Sequence, residues 1–199
     1  MKKTRWFLFA FLAVSIGLYP VIYFVQDRTF GLLSTKSGVL LSDTLWNAGF
    51  YTHIIFGGVA MLAGWSQFSP RLRLNRLSLH RNLGKIYVAA ALLSGSAGIG
   101  IGTQATGGWA AALGFMSLGV VWVYTTFAAY RHIRAGQVAA HQKMMIYSYA
   151  ACFAAVTLRL WMPILVPMFE GDFIQAYQIV AWLCWVPNLG VAWWVNRQA

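Results

Sequence analysis

Long apolar runs separated by short polar segments dominate the chain. The runs cover about 6–26, 48–69, 85–104, 109–130, 143–166 and 175–196. Each is close to the ~20 residues that a helix needs to cross a bilayer core. The segments between them, 26–47, 70–84, 107–108, 131–142 and 166–173, hold most of the charge. The pattern predicts an all-α fold, a six-helix transmembrane bundle forming a single domain over 1–199. The opening MKKTR and the apolar stretch after it exceed a usual signal-peptide core, and no small-x-small cleavage site follows. The stretch is therefore predicted to be an uncleaved first helix.

Three of the runs carry a polar or small stripe at helical spacing. In the second, His53, Gly57, Ala60, Gly64 and Gln67 fall on one helix face. At the third, His80, Gly84, Tyr87, Ala91, Ser94 and Gly98 repeat the arrangement. In the fifth, His141, Met145, Ser148, Cys152, Ala155 and Arg159 do so again. His141 and Arg159 share a face but stand five turns apart, about 27 Å at 1.5 Å per residue. These stripes suit the interior of a bundle. The glycines of the third run, Gly95, Gly98, Gly100 and Gly102, are the small residues that let helices approach closely in lipid.

Composition strengthens the membrane reading. The chain is 59% hydrophobic and 10% charged, whereas a soluble domain carries about a quarter charged residues. Its net charge of +11 does not point to nucleic acid, because the basic residues sit beside the apolar runs and no nucleic-acid module is present. With the N-terminus inside, Lys2, Lys3, Arg5, Arg71, Arg73, Arg76, Arg81, Lys85, Arg131, Arg134, Lys143 and Arg197 all fall on the cytoplasmic side. Asp27, Asp43, Glu170 and Asp172 fall outside, with Arg28 and Lys36. The positive-inside bias predicts N-in/C-in. Trp6, Trp46, Trp109, Trp161, Trp193 and Trp194 lie near the run ends, where indole rings anchor to the interface. Cys152 and Cys184 lie deep in apolar runs and read as small apolar residues.

Candidate chemistry rests on the few ionisable groups at membrane depth, which are functional suspects by default. His80 and His141 sit at one depth at the cytoplasmic ends of two runs, with Gln67 near their level. Two such histidines on different helices can ligate a b-type haem axially, and helix bundles build cofactor sites from inward side chains. Arg76, Arg81 and Lys143 are cations for its propionates. The candidate cofactor-binding set is His80, His141, Arg81, Gln67 and Tyr87, with His80 and His141 as metal ligands. His53 and Arg159 form an outer pair, a candidate substrate or quinone site. His132, in RHIR, reads as solvated surface. No acid lies within a span, and no HExxH, nucleotide loop or nucleophile elbow occurs.

The strings themselves carry a resemblance. His53 with its glycines, Trp65-Ser66-Gln67-Phe68, His80-Arg81-x-x-Gly84-x-x-Tyr87, and His141 through Thr157-Leu158-Arg159-Leu160 together resemble an uncharacterised family of bacterial predicted membrane proteins (domain of unknown function twenty-three-oh-six) over about 50–165. Met145 fits the family's pattern after the last histidine, while Met144 and Tyr147 stand where the family has Trp and Arg. The resemblance implies that His53, Gln67, His80, Arg81, Gly84, Tyr87, His141 and Arg159 belong to the family's pattern, and that the chain resides in the bacterial cytoplasmic (inner) membrane. The layout is also similar, at the level of fold, to small membrane b-type cytochromes.

The expectation is a membrane redox protein with haem b between His80 and His141, exchanging electrons with a quinone or a membrane redox partner. The alternatives are a small-molecule or lipid transporter or binding protein, and an accessory subunit of a membrane complex. The lipid bilayer is the expected surrounding in every case.

Overall fold

The computed structural model describes residues 3–28 and 30–198. Lys2, one of the basic residues of the N-terminal cluster, lies outside them. Among the described residues every regular element is helical. α1 (Lys3–Leu18) passes through a 3₁₀ turn over Tyr19–Val21 into α2 (Ile22–Val25). Pro20 sets that turn, since it has no N–H to continue the helix. α3 (Gly38–Ser42) precedes α4 (Thr44–Gly64), which ends in a 3₁₀ turn over Trp65–Phe68. α5 (Pro70–Asn75), α6 (Leu77–Gly102), α7 (Gly108–Arg134), α8 (Val138–Cys152), α9 (Ala154–Met168), α10 (Phe173–Leu183) and α11 (Val186–Gln198) complete the chain.

Among the described residues six stretches are long and apolar enough to cross a membrane: Lys3–Val25, Thr44–Phe68, Leu77–Gly102, Gly108–Arg134, Val138–Met168 and Phe173–Gln198. The chain is a multi-pass membrane protein. The predicted runs are recovered, with two adjustments. The third stretch begins eight residues before 85, because 77–84 contains no proline and continues the helix through His80 and Arg81. The segments 26–47 and 70–84, expected as connections, hold short helices of their own. Asp43 caps α4 by accepting from the Trp46 N–H, and Asp172 caps α10 by accepting from the Ile174 and Gln175 N–H groups. At the tight turn between α6 and α7, Gly107 and Gly108 have φ of 99° and 68°, which side chains with a Cβ rarely adopt.

α4 packs along α6, α6 along α7 and α7 along α8, and α4 also touches α8. These four form the inner ring. α1 lies against α4 and α9, α10 against α7 and α9, and α11 against α8. α1 approaches α4 closely where two glycines meet: a Cβ on Gly58 would stand 2.6 Å from the Gly17 carbonyl oxygen. Of the glycines on α6, Gly95 faces Val123, Gly98 faces His53 and Gly102 faces Met116, while Gly100 borders open space. The outward face is apolar and exposed at Phe7, Phe11, Leu113, Val120 and Val191. Trp109, Trp193 and Trp194 are exposed as an interfacial belt requires, but Trp46 is buried and stacked on Phe50 at 5.2 Å. The residues 30–43 fold over it and put Leu33 against it. Cys152 and Cys184 are buried free thiols.

Two of the stretches are broken in mid-course, between α8 and α9 at Phe153 and between α10 and α11 at Cys184 and Trp185. The breaks free carbonyls, and Asn188 ties them together. Its amide donates to Ala150 O at 3.2 Å, Cys184 O at 2.9 Å and Thr157 Oγ1 at 3.1 Å. Thr157 Oγ1 also donates to Cys184 O.

Candidate functional site

The centre of the ring is a closed circuit of hydrogen bonds. Trp122 Nε1–H donates to Tyr87 Oη at 3.3 Å, and Tyr87 Oη and Ser148 Oγ lie 2.7 Å apart. Ser148 Oγ and Thr126 Oγ1 lie 2.6 Å apart, and Thr126 donates to Trp122 O at 2.7 Å. An indole N–H only donates and a carbonyl only accepts. Thr126 has committed its hydrogen to Trp122 O, so Ser148 donates to Thr126 and Tyr87 donates to Ser148. Every hydroxyl hydrogen has an acceptor. Tyr87, Thr126 and Ser148 are fully buried, so this satisfaction is required rather than incidental. Tyr87 spends its hydroxyl here.

The circuit also fixes a register. Consecutive α6, α7 and α8 are antiparallel, so α6 and α8 run in the same direction on opposite sides of the ring. Tyr87 on α6 and Ser148 on α8 are hydrogen-bonded. Seven residues before each stand His80 and His141, about 10 Å along the helices. The two histidines therefore share one level toward the end of the bundle that carries the basic segments. They are electrostatic neighbours, and Arg73 and Arg81 are the other cations close to His80.

Unlike the circuit, this layer is incompletely satisfied. His141 Nδ1–H donates to Ala129 O at 2.9 Å, which leaves the lone pair on Nε2. His80 Nδ1 is buried without a hydrogen-bond partner, and so is Gln67 Oε1. Between the histidines and the circuit lie Gly84 and Met145. A Cβ built on Gly84 would meet only Gln67 Oε1, at 3.7 Å, which is ordinary contact. By contrast, a Cβ on Gly64 would collide with Tyr149 and stand 2.8 Å from the Tyr87 ring. At Gly84 a methyl would fit in ordinary contact, whereas at Gly64 it would not. Among the described residues no group of three or more His, Cys, Asp or Glu could hold a metal ion, so any metal here would rest on a pair.

The outer pair is also brought together. His53 Nδ1 donates to Ser94 O at 3.0 Å, and Ser94 Oγ donates back to His53 O at 2.8 Å. A Cβ on Gly98 would stand 2.8 Å from His53 Nδ1, so the glycine makes the space for the ring. Arg159 is an electrostatic neighbour of His53. Its Nη1 donates to Ala155 O at 2.8 Å, its guanidinium lies 4.0 Å from the Tyr19 ring centroid, and its Nε is buried without a partner. Tyr19, Tyr23 and Tyr177 are its neutral titratable neighbours. The sequence marks these three tyrosines only as polar-tipped rings inside apolar runs, with no spacing that ties them to Arg159. His132 binds Gln137 Oε1 at 2.6 Å in an exposed turn. Near the same end as Arg159, the Lys36 ammonium donates to Gln104 O at 2.6 Å, and burial holds its pKa below the usual lysine range.

The family model described as "Predicted membrane protein (DUF2306)" matches residues 50–196. No curated protein and no solved structure matches the chain. The match takes in His53, Gln67, His80, Arg81, Gly84, Tyr87, His141 and Arg159, and the chain belongs to the DUF2306 family of predicted membrane proteins.

Proposed function

We propose that the chain is a membrane redox protein holding one b-type haem between His80 and His141. The observation that carries this reading is the shared level of the two histidines, set by the Tyr87–Ser148 bond. The donor set fits the group. His141 has its Nδ1–H engaged by a backbone carbonyl, the second-shell contact that orients a ligating imidazole. His80 keeps a buried ring nitrogen without a partner. Gly84 keeps the side-chain volume beside them small, and Arg73 and Arg81 would supply cations for two propionates. When bound, haem supplies one-electron exchange between ferrous and ferric iron, with a quinone or a membrane redox partner as donor or acceptor. The chain's own residues orient the imidazoles, hold the carboxylates and exclude water behind the Tyr87 ring. The excess of arginine and lysine at this end supports a cytoplasmic location for it, with both termini inside a bacterial inner membrane.

The test is the visible spectrum of the purified protein, oxidised and then reduced with dithionite, from cells supplied with haem. A sharp Soret band that shifts on reduction, with a resolved α band, is expected. His80→Ala and His141→Ala should each lose it while the protein still folds. Full haem content in both variants, or a featureless wild-type spectrum, overturns the assignment and leaves the transporter and accessory-subunit readings to be tested.

A further inference from the structure

Arg159 presents an electrostatic problem that the rest of the chain leaves unsolved. It lies within a stretch that crosses the membrane, where a lone cation is costly. The acids nearest in sequence do not serve it: Asp172 is occupied in capping α10 and Glu170 is exposed in the turn that follows α9. Its titratable neighbours are uncharged phenols and an imidazole instead. Stacking on Tyr19 recovers part of the lost hydration, but the Nε–H remains buried and without an acceptor. The backbone adds a second open group. Pro163, four residues on in the same helix, has no N–H for the Arg159 carbonyl.

The second polar group is equally specific. His53 commits its Nδ1–H to Ser94 O, so its Nε2 carries a lone pair and accepts. A buried donor and an acceptor are thus neighbours at membrane depth. Aromatic rings surround them: Tyr19 packs edge-on to Tyr23 at 5.9 Å, Tyr23 edge-on to Phe50 at 5.5 Å, and Tyr177 on Phe173 at 5.2 Å. A simple oxyanion would satisfy Arg159 but would meet the His53 lone pair with like charge. A planar, bilayer-soluble head that carries a carbonyl or hydroxyl oxygen satisfies both groups.

We propose that Arg159, His53, Tyr19, Tyr23 and Tyr177 form a binding site for a quinone head group, with Arg159 donating to a ring oxygen and His53 accepting from the hydroxyl of the quinol form. The site stands on geometry separate from the histidine pair at the other end, and binding requires no haem.

The experiment uses the whole chain in nanodiscs of phosphatidylcholine alone. A short-chain ubiquinone analogue is titrated against tryptophan fluorescence, and co-purified quinone and lipid phosphorus are extracted and counted. Saturable binding is expected in the wild type, with at least a tenfold loss in Arg159→Leu and an intermediate loss in Arg159→Lys, which keeps the charge but not the Nε donor. Where Arg159→Leu does not fold, His53→Leu and Tyr177→Phe serve in its place, each weakening binding without moving the unfolding temperature by more than a few degrees. A folded Arg159→Leu that binds the quinone like the wild type overturns the proposal. So does a wild type that binds no quinone but holds lipid phosphorus lost in Arg159→Leu, which assigns the site to a phospholipid head. Haem content read from the same samples separates the two sites: quinone binding without a haem spectrum removes only the haem assignment, and the reverse removes only this one.

Discussion

Two layers of the same four-helix ring, only two helical turns apart, treat buried polar groups in opposite ways. In the central layer Trp122, Tyr87, Ser148 and Thr126 close on themselves and every hydrogen has an acceptor. In the layer of His80 and His141, two polar atoms are buried and unpaired, and a Cβ on the glycine beside them would touch only Gln67 Oε1 rather than a ring. The same helices supply both layers, so helix choice does not explain the contrast. A satisfied buried network rigidifies a core. An unsatisfied one costs stability and persists where something outside the chain completes it.

Paired substitutions sharpen that contrast. The largest effect is expected at Gly64, whose added methyl would run into two tyrosine rings. Gly64→Ala should lower unfolding stability by about 2–3 kcal/mol, read as a fall in melting temperature in a fixed detergent. Ser148→Ala removes the middle link of the circuit and strands the Tyr87 hydroxyl. A loss of about 1–2 kcal/mol is expected, with no change in the visible spectrum. Gly84→Ala inverts the sign. Its methyl meets no obstacle, and alanine favours helix over glycine, so stability should rise by about 0.5–1 kcal/mol while haem occupancy falls. Gln67→Leu is the smallest change. Removing an acceptor that has no donor should leave stability within about 0.5 kcal/mol or raise it slightly. If Gln67→Leu instead destabilises as strongly as Ser148→Ala, the two layers are equally structural and the contrast fails.

The six crossings are legible in the sequence because a bilayer demands unbroken apolar length. Their ends are less so. The third helix starts early because LSLHRN is helical without being apolar, and a hydropathy window does not register it. The buried position of Trp46 follows from the fold of 30–43 over the bundle end, which no local signal announces. The stripes through His80 and His141 were readable from spacing alone, and so was their common depth. The hydrogen-bond circuit was only half readable: Tyr87 and Ser148 lie on the stripes, whereas Trp122 and Thr126 come from a helix that carries no such pattern. The tyrosines around Arg159 come from the first and last crossings, far apart in sequence, and only tertiary packing gathers them.

The circuit has a further consequence for proton movement. Its direction is fixed at both ends, because an indole N–H cannot accept and a carbonyl cannot donate. A proton wire must be able to take up a proton at one end and release one at the other, then reset by turning its hydroxyls around. This loop begins and ends on the same tryptophan and can do neither. Polar sites toward both faces of a membrane would otherwise invite a leak of the proton gradient through the column of hydroxyls between them. The loop's own hydroxyls therefore offer no through-path for a proton between the two ends of the bundle.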